Sequence, residues 1–255
     1  MNNLDKPVIE VKDLSIGYGS RVVMQNLNFS VKNGEIFIIL GGSGCGKSTL
    51  LKHLIGLYPP FKGDILIHGE SIVHAENGRK REIMRSFGVT YQGGALFGSL
   101  TVGENISLLL EEYTEMSKDE INKTVTEKLR LVNLDGFQDY MPAELSGGMK
   151  KRAGLARAMA LNPRLLFFDE PSAGLDPISS AELDRLILNL RKEFGTTMVI
   201  VTHELDSIFS IADRVIMLDK EKKGITAEGD PRDLLNNSNN KWVKDFLSRL
   251  SLKRD

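Results

Sequence analysis

The sequence predicts an α/β protein in which helices cover a largely parallel sheet, with an antiparallel β subdomain near the N-terminus and an inserted helical subdomain. Apolar runs of strand length recur at 35–40, 165–169 and 197–202, and stretches of helical periodicity lie between them. Such alternation is typical of a parallel sheet with helices packed on its faces. The stretches 8–14 and 21–31, joined by a glycine turn, instead predict paired antiparallel strands.

The chain is expected to form one domain over residues 1–255. We expect the α/β core, with the β subdomain, to comprise residues 7–92 and 163–230. The intervening residues 93–162 show helical periodicity without a strand pattern, which predicts an inserted helical subdomain. Residues 231–255 are expected to form a helical C-terminal tail.

The predicted tail helix carries an apolar face. Its members recur at helical spacing and are Trp242, Val243, Phe246, Leu247 and Leu250. A face of this kind packs on its own domain more often than it binds a partner, so docking on the core is favoured.

Composition narrows the function classes. The chain has 255 residues, of which 41% are hydrophobic and 26% charged, and its net charge is −1. The absence of excess basic charge argues against a nucleic-acid partner. Apolar runs are too short to cross a bilayer and no signal peptide opens the chain, so we expect a soluble protein that acts at a membrane only through a partner. The single cysteine excludes an internal disulfide, which suits a reducing cytoplasm.

A phosphate-binding loop follows the apolar strand 35–40. The spacing G-x-x-x-x-G-K-[ST] is satisfied by Gly41, Gly42, Ser43, Gly44, Cys45, Gly46, Lys47, Ser48 and Thr49. A helical pattern follows directly, so backbone N–H groups and a helix N-terminus would point at an anion. Lys47 is expected to reach the β- and γ-phosphates and Ser48 to hold Mg²⁺. The sequence therefore predicts binding of a nucleoside triphosphate.

An acidic strand end lies later in the chain. Four apolar residues precede Asp169 and Glu170. Beside a bound nucleotide, Asp169 would bind magnesium and Glu170 would accept a proton from the attacking water. Adjacent carboxylates at a strand end are otherwise usually a solvated edge, and the phosphate-binding loop is what favours the catalytic interpretation.

Five further motifs complete a known pattern. They are Gln92, the Leu145–Met149 stretch Leu-Ser-Gly-Gly-Met, the acidic strand end, the Gly174–Pro177 stretch Gly-Leu-Asp-Pro, and His203. In this order, and with the phosphate-binding loop, they resemble the ATP-binding-cassette (ABC) ATPases over about residues 8–230. The resemblance implies a P-loop NTPase core of ABC type, ATP and Mg²⁺ as ligands, and ATP hydrolysis coupled to transport.

The resemblance also implies roles for individual residues. Ser146, Gly147 and Gly148 would close over ATP held by the opposite subunit, so the active unit would be a head-to-tail homodimer. Ser146 can also cap the helix that follows it. Tyr18 would stack on adenine, with a merely packed aromatic as the alternative.

Three more roles follow from the same resemblance. Gln92 would sense magnesium and contact the membrane partner, and Asp176 would lie at the dimer seam. His203 would contact the γ-phosphate. Lys47, Gln92, Glu170 and His203 are thus the expected catalytic residues, and Ser48, Gln92 and Asp169 the expected metal-binding residues.

A narrower resemblance concerns the cargo. The stretch 91–97, Tyr-Gln-Gly-Gly-Ala-Leu-Phe, and Met149 are similar to the maintenance-of-lipid-asymmetry (Mla) type ATPases. This implies phospholipid trafficking through a permease dimer at the cytoplasmic face of the inner membrane. A lipid-binding substrate protein and a small regulatory subunit are further implied partners. The chain departs from the best-known members after Phe246 and Leu247, where their longer tail reaches the neighbouring subunit, which leaves the regulatory subunit an open question.

Two alternatives stay open at this point. One keeps the fold and changes the cargo to another small solute. The other is an ABC ATPase that acts on DNA or the ribosome. The latter proteins resemble either paired cassettes or cassettes split by long coiled coils, and this chain has one cassette without sustained heptads.

Overall fold

The computed structural model describes residues 6–248, and in these residues ten strands form two sheets. The strands in chain order are β1 (Ile9–Tyr18), β2 (Arg21–Val31), β3 (Ile36–Gly41), β4 (Lys62–Ile67), β5 (Glu70–Ser71), β6 (Phe87–Thr90), β7 (Leu165–Asp169), β8 (Thr197–Val201), β9 (Arg214–Asp219) and β10 (Gly224–Gly229). The predicted α/β fold class is confirmed.

The larger sheet has the strand order β10-β9-β3-β8-β7-β6 over the described part of the chain. Strands β9, β3, β8, β7 and β6 are parallel, and only β10 at the edge runs antiparallel to its neighbour. Because parallel strands end at one edge, the chain leaves five strands on the same side of the sheet. Ligands of open α/β sheets bind at such carboxyl ends.

The smaller sheet is antiparallel throughout, with the order β2-β1-β4-β5. Strands β1 and β2 form a hairpin in which Tyr18 pairs with Arg21. Register shifts interrupt the pairing near Leu14 and Ile16. The hairpin turn therefore lies at one end of this sheet.

The helices in the same residues are α1 (Lys47–Leu54), α2 (Asn77–Arg85), α3 (Val102–Tyr113), α4 (Lys118–Leu131), α5 (Gly147–Ala158), α6 (Pro177–Phe194), α7 (Leu205–Ile211), α8 (Pro231–Asn237) and α9 (Lys241–Ser248). Helices α3, α4 and α5 fall between β6 and β7, without an intervening strand in this fully described stretch. A capping box of Ser117 and Glu120 begins α4, and Ser146 caps α5 through its hydroxyl.

Strand β3 is buried on both faces and separates two apolar cores. Ile36, Ile38 and Leu40 pack with the helices of the inserted segment and with α6. Phe37 and Ile39 point the other way and pack between the two sheets. The alternation follows from the two-residue period of a strand. This central position keeps the loop after β3 in place.

Two features differ from or extend the sequence-based predictions. Strand β10 was not expected, because its residues 224–229 lack an apolar run and are mostly only half-buried at the sheet edge. The tail helix packs on the core as predicted, with Val243 and Leu247 buried, whereas Leu250 lies outside the described residues. Within residues 6–248, no helix has the length and hydropathy of a membrane span.

Docking of α9 should contribute measurably to stability. Because Leu247 is fully buried in the core, Leu247→Ala should lower the free energy of unfolding by about 2–5 kcal/mol, as for other buried leucines. Urea denaturation followed by circular dichroism measures the change. Lys241→Ala, at an exposed position of the same helix, is the control. Equal midpoints for both variants would contradict the packing of this helix.

Candidate functional site

The phosphate-binding loop is a tight cradle between β3 and α1. Gly41 has φ of 151°, and a Cβ there would lie 2.5 Å from Cys45 Sγ and 2.6 Å from the Leu218 carbonyl oxygen. Gly46 has φ of 105° and caps α1 in a left-handed conformation. These positions require glycine, because a side chain would clash and the backbone would be strained. The spacing found in the sequence is thus a steric requirement of this turn.

Lys47 lies buried at the start of α1, and its side chain folds over the loop. Its Nζ donates hydrogen bonds to the Gly41 carbonyl at 2.9 Å and the Gly42 carbonyl at 3.3 Å. The first-turn N–H groups of α1 lack intrahelical acceptors and face the same space. An ammonium group and a helix N-terminus together favour an anion, as phosphate sites in other P-loop proteins do.

Ser48 joins the loop to the acidic end of β7. Its hydroxyl donates a hydrogen bond to Asp169 Oδ1 at 2.9 Å, across 121 positions of sequence. Burial raises the pKa of the Asp169 carboxyl, while the Ser48 hydrogen bond and the more distant charges of Lys52 and Lys47 oppose that effect. A partly buried carboxylate and a hydroxyl are therefore held together beside the phosphate-binding loop.

Glu170 and His203 form a pair at the ends of β7 and β8. Nδ1 of His203 lies 2.9 Å from both carboxylate oxygens of Glu170 and is hydrogen-bonded to Oε1. Glu170 is largely buried, with 13% of its side chain exposed, and its Oε2 has no hydrogen-bond partner. Its φ of 49° is unusual for a residue other than glycine. Strained, incompletely satisfied carboxylates of this kind concentrate at functional sites.

A cavity of about 1240 Å³ brings these elements together. The predicted residues that line it are the loop 41–49, Tyr18, Gln92, Glu170 and His203. Tyr18 is 43% exposed and contacts Tyr58 edge-to-face, with ring centroids 5.6 Å apart. Its other surface is open to the cavity, as a stacking role requires. The exposed Gln92 follows β6 at the same sheet edge.

The remaining predicted residues lie in a separate group. Ser146, Gly147 and Gly148 form the N-terminus of α5, and they do not line the cavity. Asp176 instead caps α6, accepting hydrogen bonds from the Ile178 and Ser179 amides at 3.0 Å. The hydrogen bond from the Ser179 hydroxyl lowers the pKa of Asp176. These residues therefore cannot contact a nucleotide held in this chain's own cavity.

Sequence reasoning did not predict eight of the residues that line the cavity: Ser20, Arg21, Val22, Val23, Leu205, Lys220, Lys223 and Phe246. Lys220 and Lys223 follow β9, and Phe246 belongs to α9. The two lysines belong to no recognisable sequence motif. They could have been predicted only from the sheet order, which places the end of β9 beside the end of β3. Phe246 was assigned to an apolar face, and that face reaches the rim of the cavity.

Comparisons with known proteins agree with this geometry. The sequence profile of the ABC transporter family matches residues 24–173. A probable ribonucleotide transport ATP-binding protein, mkl, of Mycobacterium leprae is 41% identical over 94% of this chain and 68% of its own length. The intermembrane phospholipid transport system ATP-binding protein MlaF of Haemophilus influenzae is 40% identical over 91% of this chain and 87% of its own length.

The family match and the identity over most of the length decide the assignment. This chain belongs to the ABC transporter family. A solved dimeric ATP-binding cassette, MJ0796, in a post-hydrolysis state with ADP and Pi, superposes with a TM-score of 0.79 and 30% identity. The superposition covers 87% of this chain and 98% of that one. The chain is accordingly an ATP-binding subunit and an ABC-type ATPase.

The only cysteine of the sequence gives a direct probe of the loop. Cys45 is 2% exposed, and burial raises the pKa of its thiol, with Lys47 opposing. Because the thiolate is the nucleophile, iodoacetamide should alkylate the folded protein slowly near neutral pH and faster as the pH rises. Bound ATP should lower the alkylation rate further at a given pH. Mass spectrometry measures the rate, and denatured protein is the control. Equally fast labelling of folded and denatured protein would contradict this placement of Cys45.

Proposed function

We propose that this chain is the ATP-hydrolysing subunit of an ABC transporter that moves phospholipid through a partner permease. The observation that carries the hydrolytic part is the Glu170–His203 pair at the mouth of the phosphate-binding loop. The cargo is supported by the 40% identity to MlaF, which extends over 91% of the chain.

In the proposed hydrolysis, the loop amides and Lys47 bind the β- and γ-phosphates. Glu170 accepts a proton from a water molecule while the water oxygen attacks the γ-phosphorus. The bond from the γ-phosphorus to the β,γ-bridging oxygen breaks, which releases ADP. His203 holds the Glu170 carboxylate at 2.9 Å and orients it. Gln92 would sense the magnesium ion and contact the membrane partner, and Tyr18 would stack on the adenine.

Magnesium is the expected metal, and the residues present fit it. Mg²⁺ binds through one or two protein oxygens together with substrate phosphates and water. The adjacent Ser48 hydroxyl and Asp169 carboxylate are donors of that type, and Gln92 lines the same cavity. No cluster of three or more His, Cys, Asp or Glu side chains in residues 6–248 could hold a metal alone. When bound with ATP, the ion would neutralise phosphate charge.

A homodimer would supply the residues missing from each site. Ser146, Gly147 and Gly148 are exposed or half-buried and lie outside their own chain's cavity. The structurally similar MJ0796 cassette is dimeric in a post-hydrolysis state bound to ADP and Pi. We therefore expect a head-to-tail dimer in which the N-terminus of α5 covers the partner's ATP, with Asp176 near the seam.

A groove of about 600 Å³ between α2, α3 and the loop after Gln92 is the proposed permease site. Four of its large apolar side chains are between 39% and 53% exposed, and they are Met84, Phe97, Leu108 and Tyr113. An apolar surface of this kind typically binds a partner. Leu96 packs on its own core, so that of these two neighbouring apolar residues only Phe97 is exposed.

Contacts behind the groove connect it to α5. A Cβ on Gly94 would lie 2.5 Å from the Lys150 carbonyl oxygen, so this loop crosses α5 at close range. Arg157 donates a hydrogen bond to the Ala95 carbonyl at 2.7 Å, and its guanidinium lies 5.9 Å from the Phe97 ring centroid. A permease segment in the groove would thus press on the same helix that faces the partner's ATP.

One comparison supports a different cargo, a ribonucleotide. The mycobacterial relative, of which this chain spans 68%, is described as a probable ribonucleotide transport protein. Phospholipid remains our proposal, because MlaF aligns over 87% of its own length and the 91–97 stretch resembles Mla-type ATPases. The proposed place of action is the cytoplasmic face of the inner membrane. A lipid-binding substrate protein and a small regulatory subunit are further proposed partners.

Replacement of the proposed base should separate binding from hydrolysis. Glu170→Gln removes the proton acceptor and should lower the ATPase rate by about 10²–10⁴-fold while retaining ATP binding. The variant should accumulate as an ATP-bound dimer on size-exclusion chromatography. Glu182→Gln, the same change at an exposed position of α6, should retain the wild-type rate. A Glu170→Gln rate within a few-fold of wild type would remove Glu170 from this role.

Purification from detergent-solubilised membranes tests partner and cargo together. We expect two copies of this chain with a permease dimer, and co-purified phospholipid by mass spectrometry. Phe97→Ser should weaken that association without changing ATP binding. Phe194→Ser is the matched control, because Phe194 is 48% exposed and lies outside the groove.

The possible results separate the claims. A permease that co-purifies with a soluble-solute receptor and without lipid would overturn the phospholipid assignment but leave the ATPase intact. Equal loss of the complex with Phe97→Ser and Phe194→Ser would contradict the groove as the docking site.

A further inference from the structure

A lysine of α5 makes a contact that the roles described so far do not use. Lys151 lies one turn after Ser146–Gly148, and its Nζ donates a hydrogen bond to the carbonyl of Ala173. Ala173 belongs to the turn that follows Glu170, since its own N–H donates to the Glu170 carbonyl at 3.3 Å. One side chain therefore connects the helix that faces the partner to the turn that carries the proposed base.

The turn that begins at Glu170 has to be stabilised by contacts from outside the turn. Glu170 adopts φ of 49°, a conformation that costs of order 1–3 kcal/mol and persists only where surrounding contacts enforce it. Its N–H is fixed by the Val201 carbonyl at 2.8 Å, and the Leu175 N–H donates to the Ser172 carbonyl at 3.0 Å. The Ala173 carbonyl points instead towards α5, where Lys151 is its donor.

Charge reinforces the contact. Burial lowers the pKa of Lys151, and the carboxylates of Glu170 and Glu204 oppose that effect. Glu204 lies 3.6 Å from Nε2 of His203. The ammonium is thus in the field of the same carboxylate that His203 orients, so its removal would change both the shape of the turn and the electrostatics around Glu170.

The helix also touches this loop at a second point. The position of a Cβ on Gly148 is 3.8 Å from Leu175 Cδ2 and 3.9 Å from Ser179 Oγ. The N-terminus of α5 and the loop 170–176 therefore form one packed unit, with Lys151 as its polar connection. Movement of α5 towards a partner's nucleotide would be transmitted to this loop.

We propose that Lys151 is a positioning residue that holds the turn 170–173 through the Ala173 carbonyl and so sets the place of Glu170. It thereby couples the seating of α5 on the partner's ATP to the readiness of its own chain's ATP site. The inference rests on the proposed role of Glu170 in hydrolysis. Lys151 acts through the turn and does not itself contact the nucleotide, since it does not line the cavity.

The test compares Lys151→Met with Lys151→Arg in the full chain. Met retains length and loses the donors, so kcat should fall about 10- to 100-fold, the range expected for a misplaced catalytic group. KM for ATP and the binding of a fluorescent ATP analogue should not change. Arg retains charge and donors and should restore most of kcat. Lys150→Met, the neighbouring lysine on the same helix, should retain the wild-type rate.

A second measurement excludes general damage to α5. In the Glu170→Gln background, addition of Lys151→Met should leave the ATP-dependent dimer on size-exclusion chromatography unchanged. The reason is that Ser146–Gly148 and the nucleotide site remain intact. Loss of that dimer would show that Lys151 supports α5 itself and would overturn the proposal. An unchanged kcat for Lys151→Met, or no recovery with Lys151→Arg, would also overturn it.

The outcome is distinguishable from failure of the proposed function. If Glu170→Gln remains active, Glu170 is not the base and the coupling has no target. If Glu170→Gln is inactive while Lys151→Met retains full kcat, hydrolysis by Glu170 stands and only the positioning role of Lys151 is wrong.

Discussion

Parallel pairing of β3, β8 and β7 is the constraint on which the ATP site depends. The pairs Ile39–Val201 and Asp169–Val201 align the ends of the three strands at one sheet edge. The phosphate-binding loop begins where β3 ends, Glu170 directly follows β7, and His203 lies just after β8. Because β3 is fully buried and packed on both faces, this edge cannot shift without disturbing both cores.

Placement of charge at that edge is costly and functionally useful at once. Lys47 is buried, Glu170 is largely buried and Asp169 is half-buried, so their interactions are stronger than in solvent. The protein compensates with local partners: loop carbonyls for Lys47, Ser48 for Asp169 and His203 for Glu170. Oε2 of Glu170 is buried and has no hydrogen-bond partner, although Nδ1 of His203 lies 2.9 Å from it.

Helix α5 connects three functional regions over only 12 residues. Its N-terminus carries Ser146–Gly148, its middle contacts the turn after Glu170, and Arg157 near its end holds the loop that lines the proposed permease groove. Two glycines, Gly94 and Gly154, permit the close crossing of loop and helix, since a Cβ on either would meet backbone atoms at 2.5 or 2.7 Å. A rigid element with these contacts can relay a change in the groove to both ATP sites of a dimer.

Features that depend on neighbouring residues were predictable without the structure. The strand, glycine loop and helix around Lys47 are local, and so are the caps at Ser117 and Ser146, because each satisfies backbone groups three residues away. The family motifs also identified Glu170 and His203, although the 2.9 Å contact between them needed the fold.

Contacts between distant segments, in contrast, could be seen only in the fold. Three such contacts follow from the strand order β9-β3-β8-β7. They are the Ser48–Asp169 hydrogen bond, the contact of Lys151 with Ala173, and the approach of Lys220 and Lys223 to the ATP cavity. That order is not the order of the chain, and local periodicity carries no information about it. The edge strand β10 was missed for a related reason: a neighbouring strand stabilises it through backbone hydrogen bonds, which leave no apolar pattern in the sequence.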